Sequence, residues 1–159
     1  MSRKLILYIA MSLDGYIAGK NDDIDFLSRV DVPGEDYGYG GFLANIDTVI
    51  WGRRTYEVAL SFGMGLPHKD KKVYVVTRTR TGKEGHVEFH PDLLALVQQL
   101  KQGEGKDIYC DGGAQVVHTL LQHRLFDRIV VSVIPHLLGG GIRLFSEGFP
   151  EHTLKLKHS

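Results

Sequence analysis

Two short segments of this 159-residue chain combine residue types that can hold phosphate. In Asp107-Ile-Tyr-Cys-Asp-Gly-Gly-Ala-Gln-Val-Val-His118 an apolar run ends at Gly112-Gly113 and a helix-compatible stretch begins at once. That order leaves bare backbone N–H groups at a helix mouth. The first N–H groups of a helix lack intrahelical partners and the helix dipole is positive there, so an anion is attracted. The bland alternative is a tight strand-to-helix connection. Thr48-Val-Ile-Trp-Gly-Arg-Arg-Thr-Tyr-Glu57 has the same strand-to-helix order with richer chemistry. Gly52 permits close approach, the Thr55 hydroxyl can bond a phosphate oxygen, and Arg53 and Arg54 offer planar guanidinium forks. The alternative here is a helix start with solvated arginines. Two phosphate-seeking turns in one small chain imply a dinucleotide lying across a sheet.

A third polar turn, Thr77-Arg78-Thr79-Arg80, follows an apolar run. At the carboxyl end of a parallel strand it would line a ligand crevice and could take the 2′-phosphate of NADPH. As a polar hairpin turn it would do neither. Other motifs carry less. The usual G-x-G-x-x-G fingerprint, a Walker-type loop and a G-x-S-x-G elbow are all missing. His86 and His90 span roughly 13 Å on a strand, too far apart to share one metal ion. His118 reads as an ordinary helix residue, and Cys110 has no evident histidine partner.

Positioning these turns requires alternating strands and helices. Leu5–Ala10, Thr48–Trp51, Lys72–Thr77, His86–Phe89, Ile108–Cys110 and Arg128–Ile134 read as strands. Arg54–Ser61, a segment opened by Pro91 and Ala114–Arg124 read as helices. Leu93, Leu96, Val97 and Leu100 form one stripe of the second helix, and Val117, Leu120 and Leu121 point inward from the third. A short helix is expected within Glu35–Asn45, with Phe42, Leu43 and Ile46 on its inner side. Alternation of this kind implies right-handed crossovers and a mostly parallel central sheet with helices on both faces, an α/β fold in a single domain over 1–159. Lys+Arg and Asp+Glu are both 19, so bulk charge gives no reason to expect nucleic acid or an anionic membrane. The first apolar run is too short to span a bilayer. One cysteine rules out an internal disulfide and fits a reducing, cytoplasmic setting.

In order and spacing these motifs resemble the dihydrofolate reductase-like fold. They resemble most the reductase domain of the riboflavin-biosynthesis deaminase–reductase and its stand-alone relatives. Met11-Ser-Leu-Asp-Gly-Tyr-Ile-Ala18 is similar to the opening signature, Gly52-Arg-Arg-Thr-Tyr-Glu57 to the pyrophosphate turn and Gly112-Gly-Ala-Gln115 to the second phosphate turn. Leu125-Phe-Asp-Arg-Ile-Val-Val131 is similar to the strand that follows. The resemblance implies an NADPH-dependent reductase acting on a small polar substrate, often homodimeric. It implies cofactor contacts from Gly52, Arg53, Arg54, Thr55, Gly112, Gly113, Ala114 and Gln115, an adenosine-phosphate turn at Thr77 and Arg78, and packing near the nicotinamide by Ala10, Ile17 and Ala18. Asp14 and Asp36 are the candidate proton-handling groups, and Asp14 could instead shape a turn with Gly15. The surroundings of Asp36 are unlike a folate site. Loops around Asn21–Tyr39 and Gly63–Lys71 are expected to set the substrate. The family pattern also implies a closing strand hairpin beyond Leu154–Ser159, without which a sheet edge stands bare. The rival reading is a non-catalytic nucleotide-binding module of the same fold; a flavin-linked enzyme using the same turns is a third.

Overall fold

A computed structural model describes residues 2–63 and 65–159. Its centre is a seven-stranded sheet ordered β5-β6-β4-β3-β7-β1-β8. In chain order these are β1 (Leu5–Ser12), β3 (Ile46–Gly52), β4 (Lys72–Val76), β5 (Gly82–Glu84), β6 (Val87–His90), β7 (Asp107–Cys110) and β8 (Arg128–Ile134). A small second sheet pairs β2 (Tyr16–Ala18) with β9 (Ile142–Arg143). Every neighbour pair of the main sheet is parallel except β5–β6, an antiparallel edge hairpin. The expected α/β architecture with a mostly parallel sheet is therefore the observed one. The outer edge of β8 has no strand partner among the described residues.

Strand composition explains the sheet. Leu5, Leu7, Ile50, Ile108 and Cys110 turn to one face, where they meet Leu93, Leu96, Val97 and Leu100 of α3 (Leu93–Gln102) and Val116, Val117, Leu120 and Leu121 of α4 (Ala114–Gln122). Ile6, Val49, Trp51, Val75 and Tyr109 turn to the other, against Tyr56 of α2 (Arg53–Ser61) and Phe42 of α1 (Tyr39–Leu43). Alternate residues of a strand point to opposite faces, so strands buried on both sides must be apolar throughout. The helical stripes expected for α3 and α4 are the buried ones.

Three local expectations are corrected. The Glu35–Asn45 helix shrinks to Tyr39–Leu43, because glycines at its start and within it favour turns over helix. Ile46, assigned above to that helix, instead opens β3, two residues before the expected start at Thr48. The strand β5 and the β2/β9 pair were not foreseen, since Gly82-Lys-Glu84 and Ile142-Arg143 are too short and polar to carry a strand period.

The topology creates one special place. After β3 the chain crosses by α2 on one face to β4. After β7 it crosses by α4 on the opposite face to β8, on the far side of β1. Strands β3 and β7 are neighbours, so their carboxyl ends form the switch point at which an open α/β sheet makes a crevice.

Candidate functional site

The two glycine turns sit side by side at that switch point. The β3–β7 ladder continues past the strands: Asp111 N donates to Ile50 O at 3.1 Å and Gly52 N donates to Gly112 O at 2.8 Å. Gly52 allows the two turns to approach closely, since a Cβ there would lie 3.1 Å from Val116 Cγ2 and 3.3 Å from Gly113 N. Gly112 has φ +97°, and a Cβ on it would press Ile9 Cδ1 at 3.2 Å. Only a residue without a side chain fits such a backbone comfortably. The two bends are thus locked into one unit.

The helices behind these turns start without side-chain caps, α2 from Gly52 and α4 from Gly113. By contrast α3 is capped in the ordinary way, Asp92 accepting from Ala95 N at 3.0 Å. An uncapped start leaves N–H groups for an outside acceptor.

Both turns open into a cleft of about 1790 Å³. Pockets for one small ligand occupy roughly 300–1,000 Å³, so there is room here for a dinucleotide and a second molecule. Its walls include Ala10, Ile17, Ala18, Gly52, Arg53, Arg54, Thr55, Thr77, Arg78, Gly113, Ala114 and Gln115. Of the residues assigned to the cofactor, Gly112 alone is set back, buried behind the turn it shapes. Arg53 lies 3.5 Å from Glu57 and Arg54 lies 2.8 Å from Asp22, while Arg78 makes no ion pair among the described residues.

Asp14 and Asp36 are not brought to this cleft. The carboxylate of Asp14 accepts from the Ser12 hydroxyl at 2.6 Å, from Leu138 N at 3.1 Å and from Gly139 N at 2.8 Å. The Ser12 hydrogen bond, with those backbone donors, pulls its pKa down to about 2. It pins β1 to the 138–139 turn, the turn-shaping role weighed above. Asp36 is exposed and accepts from Gly38 N and Gly40 N in a local turn. These backbone donors hold its carboxyl below the usual range.

Of the acids lining the cleft, Asp22 pairs with Arg54 and Asp92 caps α3, which leaves Asp111. It follows β7 immediately before the glycine pair, and its carboxylate is gripped by Trp51 Nε1 at 2.9 Å and the Tyr109 hydroxyl at 2.9 Å. Burial pushes its pKa up to about 6, against the opposing pull of those two hydrogen bonds. Tyr39 adds a further hydroxyl 3.3 Å from that of Tyr109, and burial raises its own pKa to about 12. Nothing in the residue types distinguishes Asp111 from the other aspartates. Its position did carry a signal: a carboxylate at the end of a central parallel strand faces the crevice.

The fold and its switch-point cleft define the class: an α/β protein of the dihydrofolate reductase-like kind. The chain belongs to the RibD C-terminal domain family, whose model matches residues 54–159. It is 40% identical to the uncharacterized protein YwjB of Bacillus subtilis strain 168, over 99% of this chain and 91% of that one. YyaP of the same strain, also uncharacterized, is 32% identical over 97% of this chain and 86% of its own. A crystal structure of a protein from Shewanella sp. PV-4, provisionally described as a riboflavin biosynthesis protein, superposes with a TM-score of 0.81 at 33% identity, covering 92% of this chain and 84% of the other. The family is reductase-like. Among the described residues no helix is long and apolar enough to cross a membrane.

Proposed function

We propose that the chain is an NADPH-dependent reductase that reduces a C=N or C=O group of a small substrate. The observation that carries this reading is the single cleft shared by two uncapped helix starts, the Thr77–Arg78 turn and one acid whose pKa is raised to about 6. The residues fit the cofactor. A Cβ on Gly52 would narrow the gap between the two phosphate turns, Thr55 and the α2 and α4 N–H groups suit the pyrophosphate, and Arg78 suits a 2′-phosphate. When bound, NADPH supplies the hydride.

The chain's own residues do the rest. Ala10, Ile17 and Ala18, on β1 and β2, offer a small apolar surface on which a nicotinamide ring can lie and from which water is displaced. Asp111 holds a proton at its carboxyl and passes it to the substrate nitrogen or oxygen as charge develops there. A carboxylic acid with a pKa of about 6 is poised for this near neutral pH, whereas an ordinary aspartic acid would already be ionised. Trp51 and Tyr109 aim the group, and the Tyr39 hydroxyl continues the chain of hydrogen bonds. Asp14 and Asp36, so far from such a role in geometry, serve the scaffold in this reading.

Calorimetric titration of the protein with NADPH tests the proposal. Saturable binding in the micromolar range is expected, weaker for NADH. Lack of saturation at millimolar NADPH would refute it. The non-catalytic alternative predicts the same binding with no NADPH oxidation on a panel of pterins, quinones and aminopyrimidines.

A further inference from the structure

Asp36 lies outside the cleft, yet it holds a ring that lines it. Of residues 31–41 only Tyr39 is withdrawn from water. Its ring packs against Tyr8 and Tyr109, with centroids 5.4 Å and 6.2 Å away. Three successive N–H groups around that ring all donate to Asp36. Gly38 N reaches Oδ1 at 2.9 Å, Tyr39 N the backbone oxygen at 3.0 Å and Gly40 N Oδ2 at 3.0 Å. The flanking glycines suit this grip. Gly38 has φ +83°, and a Cβ on Gly40 would sit 2.9 Å from Asp36 Oδ2.

Tyr39 stands between two spaces. A second cavity of about 620 Å³ opens on the α1 side, lined by Leu43, Ala44, His68, Asp70 and Lys71. Tyr39 and Asp111 line both this cavity and the cleft. The titratable groups around Asp111 are Tyr109 and Cys110 on its own strand and Tyr39 from α1. His68, Asp70 and Lys71 face it across the second cavity, and Arg53 and Arg54 across the cleft. Burial is the main cause of the proton affinity of Asp111, so water admitted beside its carboxyl group would undo the effect. Without the Tyr39 ring the two spaces would join at that point.

We propose, on the reading of Asp111 as the proton donor, that Asp36 is a positioning residue for it. Through its clamp on residues 38–40, Asp36 holds the Tyr39 ring as a wall that keeps water off the Asp111 carboxyl group. The ring is what matters; the Tyr39 hydroxyl, 3.3 Å from that of Tyr109, is secondary.

Trp51 is the only tryptophan of the chain and its indole N–H donates to Asp111. The pH dependence of its fluorescence therefore reports that carboxyl group, and the component abolished in Asp111→Asn is the one to follow. The parent should show it with a midpoint of about 6. If it is missing, the desolvated acid itself falls, and this inference with it. Asp36→Ala and Tyr39→Ala should each lower the midpoint by roughly one unit, a fraction of the several units that full burial supplies. Tyr39→Phe should keep it, and Asp36→Ala should add nothing in the Tyr39→Ala background. Gly40→Ala should lower it too, although alanine is the better helix former, because the methyl pushes the Asp36 carboxylate aside. Asp36 is exposed, so its loss spares the fold. With the parent midpoint in place, the proposal is overturned if Asp36→Ala leaves it unmoved, if the two alanine effects add, if Gly40→Ala does not lower it, or if Tyr39→Phe shifts it as far as Tyr39→Ala.

Discussion

Replacing Asp111 by asparagine should make the protein more stable and less active at once, and the two effects should separate by pH. The carboxyl has its pKa raised from 3.8 to about 6, with burial as the main cause. Each unit is worth about 1.4 kcal/mol, so the ionised form costs the native state up to about 3 kcal/mol. The direction follows from linkage. Below pH 3.8 the group is protonated in both folded and unfolded chains and costs nothing. As pH rises toward 6 the unfolded chain releases its proton first, and native stability falls; above about 6 the full cost stands.

Asparagine removes that cost and keeps the geometry. Its carbonyl oxygen can accept from Trp51 Nε1, and its amide can donate to the Tyr109 oxygen, with Tyr109 then donating to Tyr39. At pH 4 the expected gain is only roughly 0.5 kcal/mol, and at pH 8 up to about 3 kcal/mol. For a chain of this size that is an increase in Tm of roughly 6–12 °C at pH 8. Thermal melts of both proteins at the two pH values measure it. NADPH oxidation by Asp111→Asn should fall by roughly 10²–10⁴, the usual worth of a positioned general acid. In the parent, turnover should decline above about pH 6, and this limb should vanish in the variant. A variant that is equally displaced in Tm at pH 4 and pH 8, or one that is less stable at pH 8, would show that Asp111 is not a desolvated acid. Unchanged turnover would remove it from the reaction.

Further outcomes follow from the same geometry. Arg78→Ala should weaken NADPH by about 1.5–3 kcal/mol and leave NADH nearly unaffected, because it removes a charge-assisted contact to the 2′-phosphate alone; paired titrations decide this. Arg53→Ala should weaken both cofactors by a similar amount, and an unchanged Kd would place this side chain in solvent. Gly52→Ala should cost about 1–3 kcal/mol in denaturant melts and abolish cofactor binding, since its methyl would lie 3.1 Å from Val116 Cγ2 and force the two turns apart. Asp14→Ala should lower Tm at neutral pH, while NADPH affinity and turnover at a temperature where the variant stays folded hold. The parent should lose the Asp14 contribution as pH falls toward about 2. A large drop in kcat for folded Asp14→Ala would restore Asp14 as a reacting group.

The sheet was legible because it is buried on both faces. Leu5-Ile-Leu-Tyr-Ile and Val49-Ile-Trp51 have no polar alternation, which is what central parallel strands require, and the helix stripe from Leu93 to Leu100 needs no tertiary knowledge to be read. The cofactor turns were legible because glycine followed by a helix start is a local signal. The acid was not. Asp14, Asp36 and Asp111 are the same residue type, each with a glycine within two positions. What separates them is solvation and donors. The Asp14 carboxylate meets one hydroxyl and two backbone N–H groups that favour its charge, whereas the Asp111 carboxylate is buried beneath two aromatic rings whose single donors cannot offset the loss of water. Tyr109 is two residues away on the same strand, but Trp51, 60 positions earlier, reaches it only because β3 and β7 become neighbours through a crossover that no local window contains. Proton chemistry in this fold is therefore a property of strand order. A sequence change that shifts β3 by one residue against β7 would turn Trp51 to the opposite face and leave the Asp111 carboxylate with Tyr109, two residues away on its own strand, as its remaining donor.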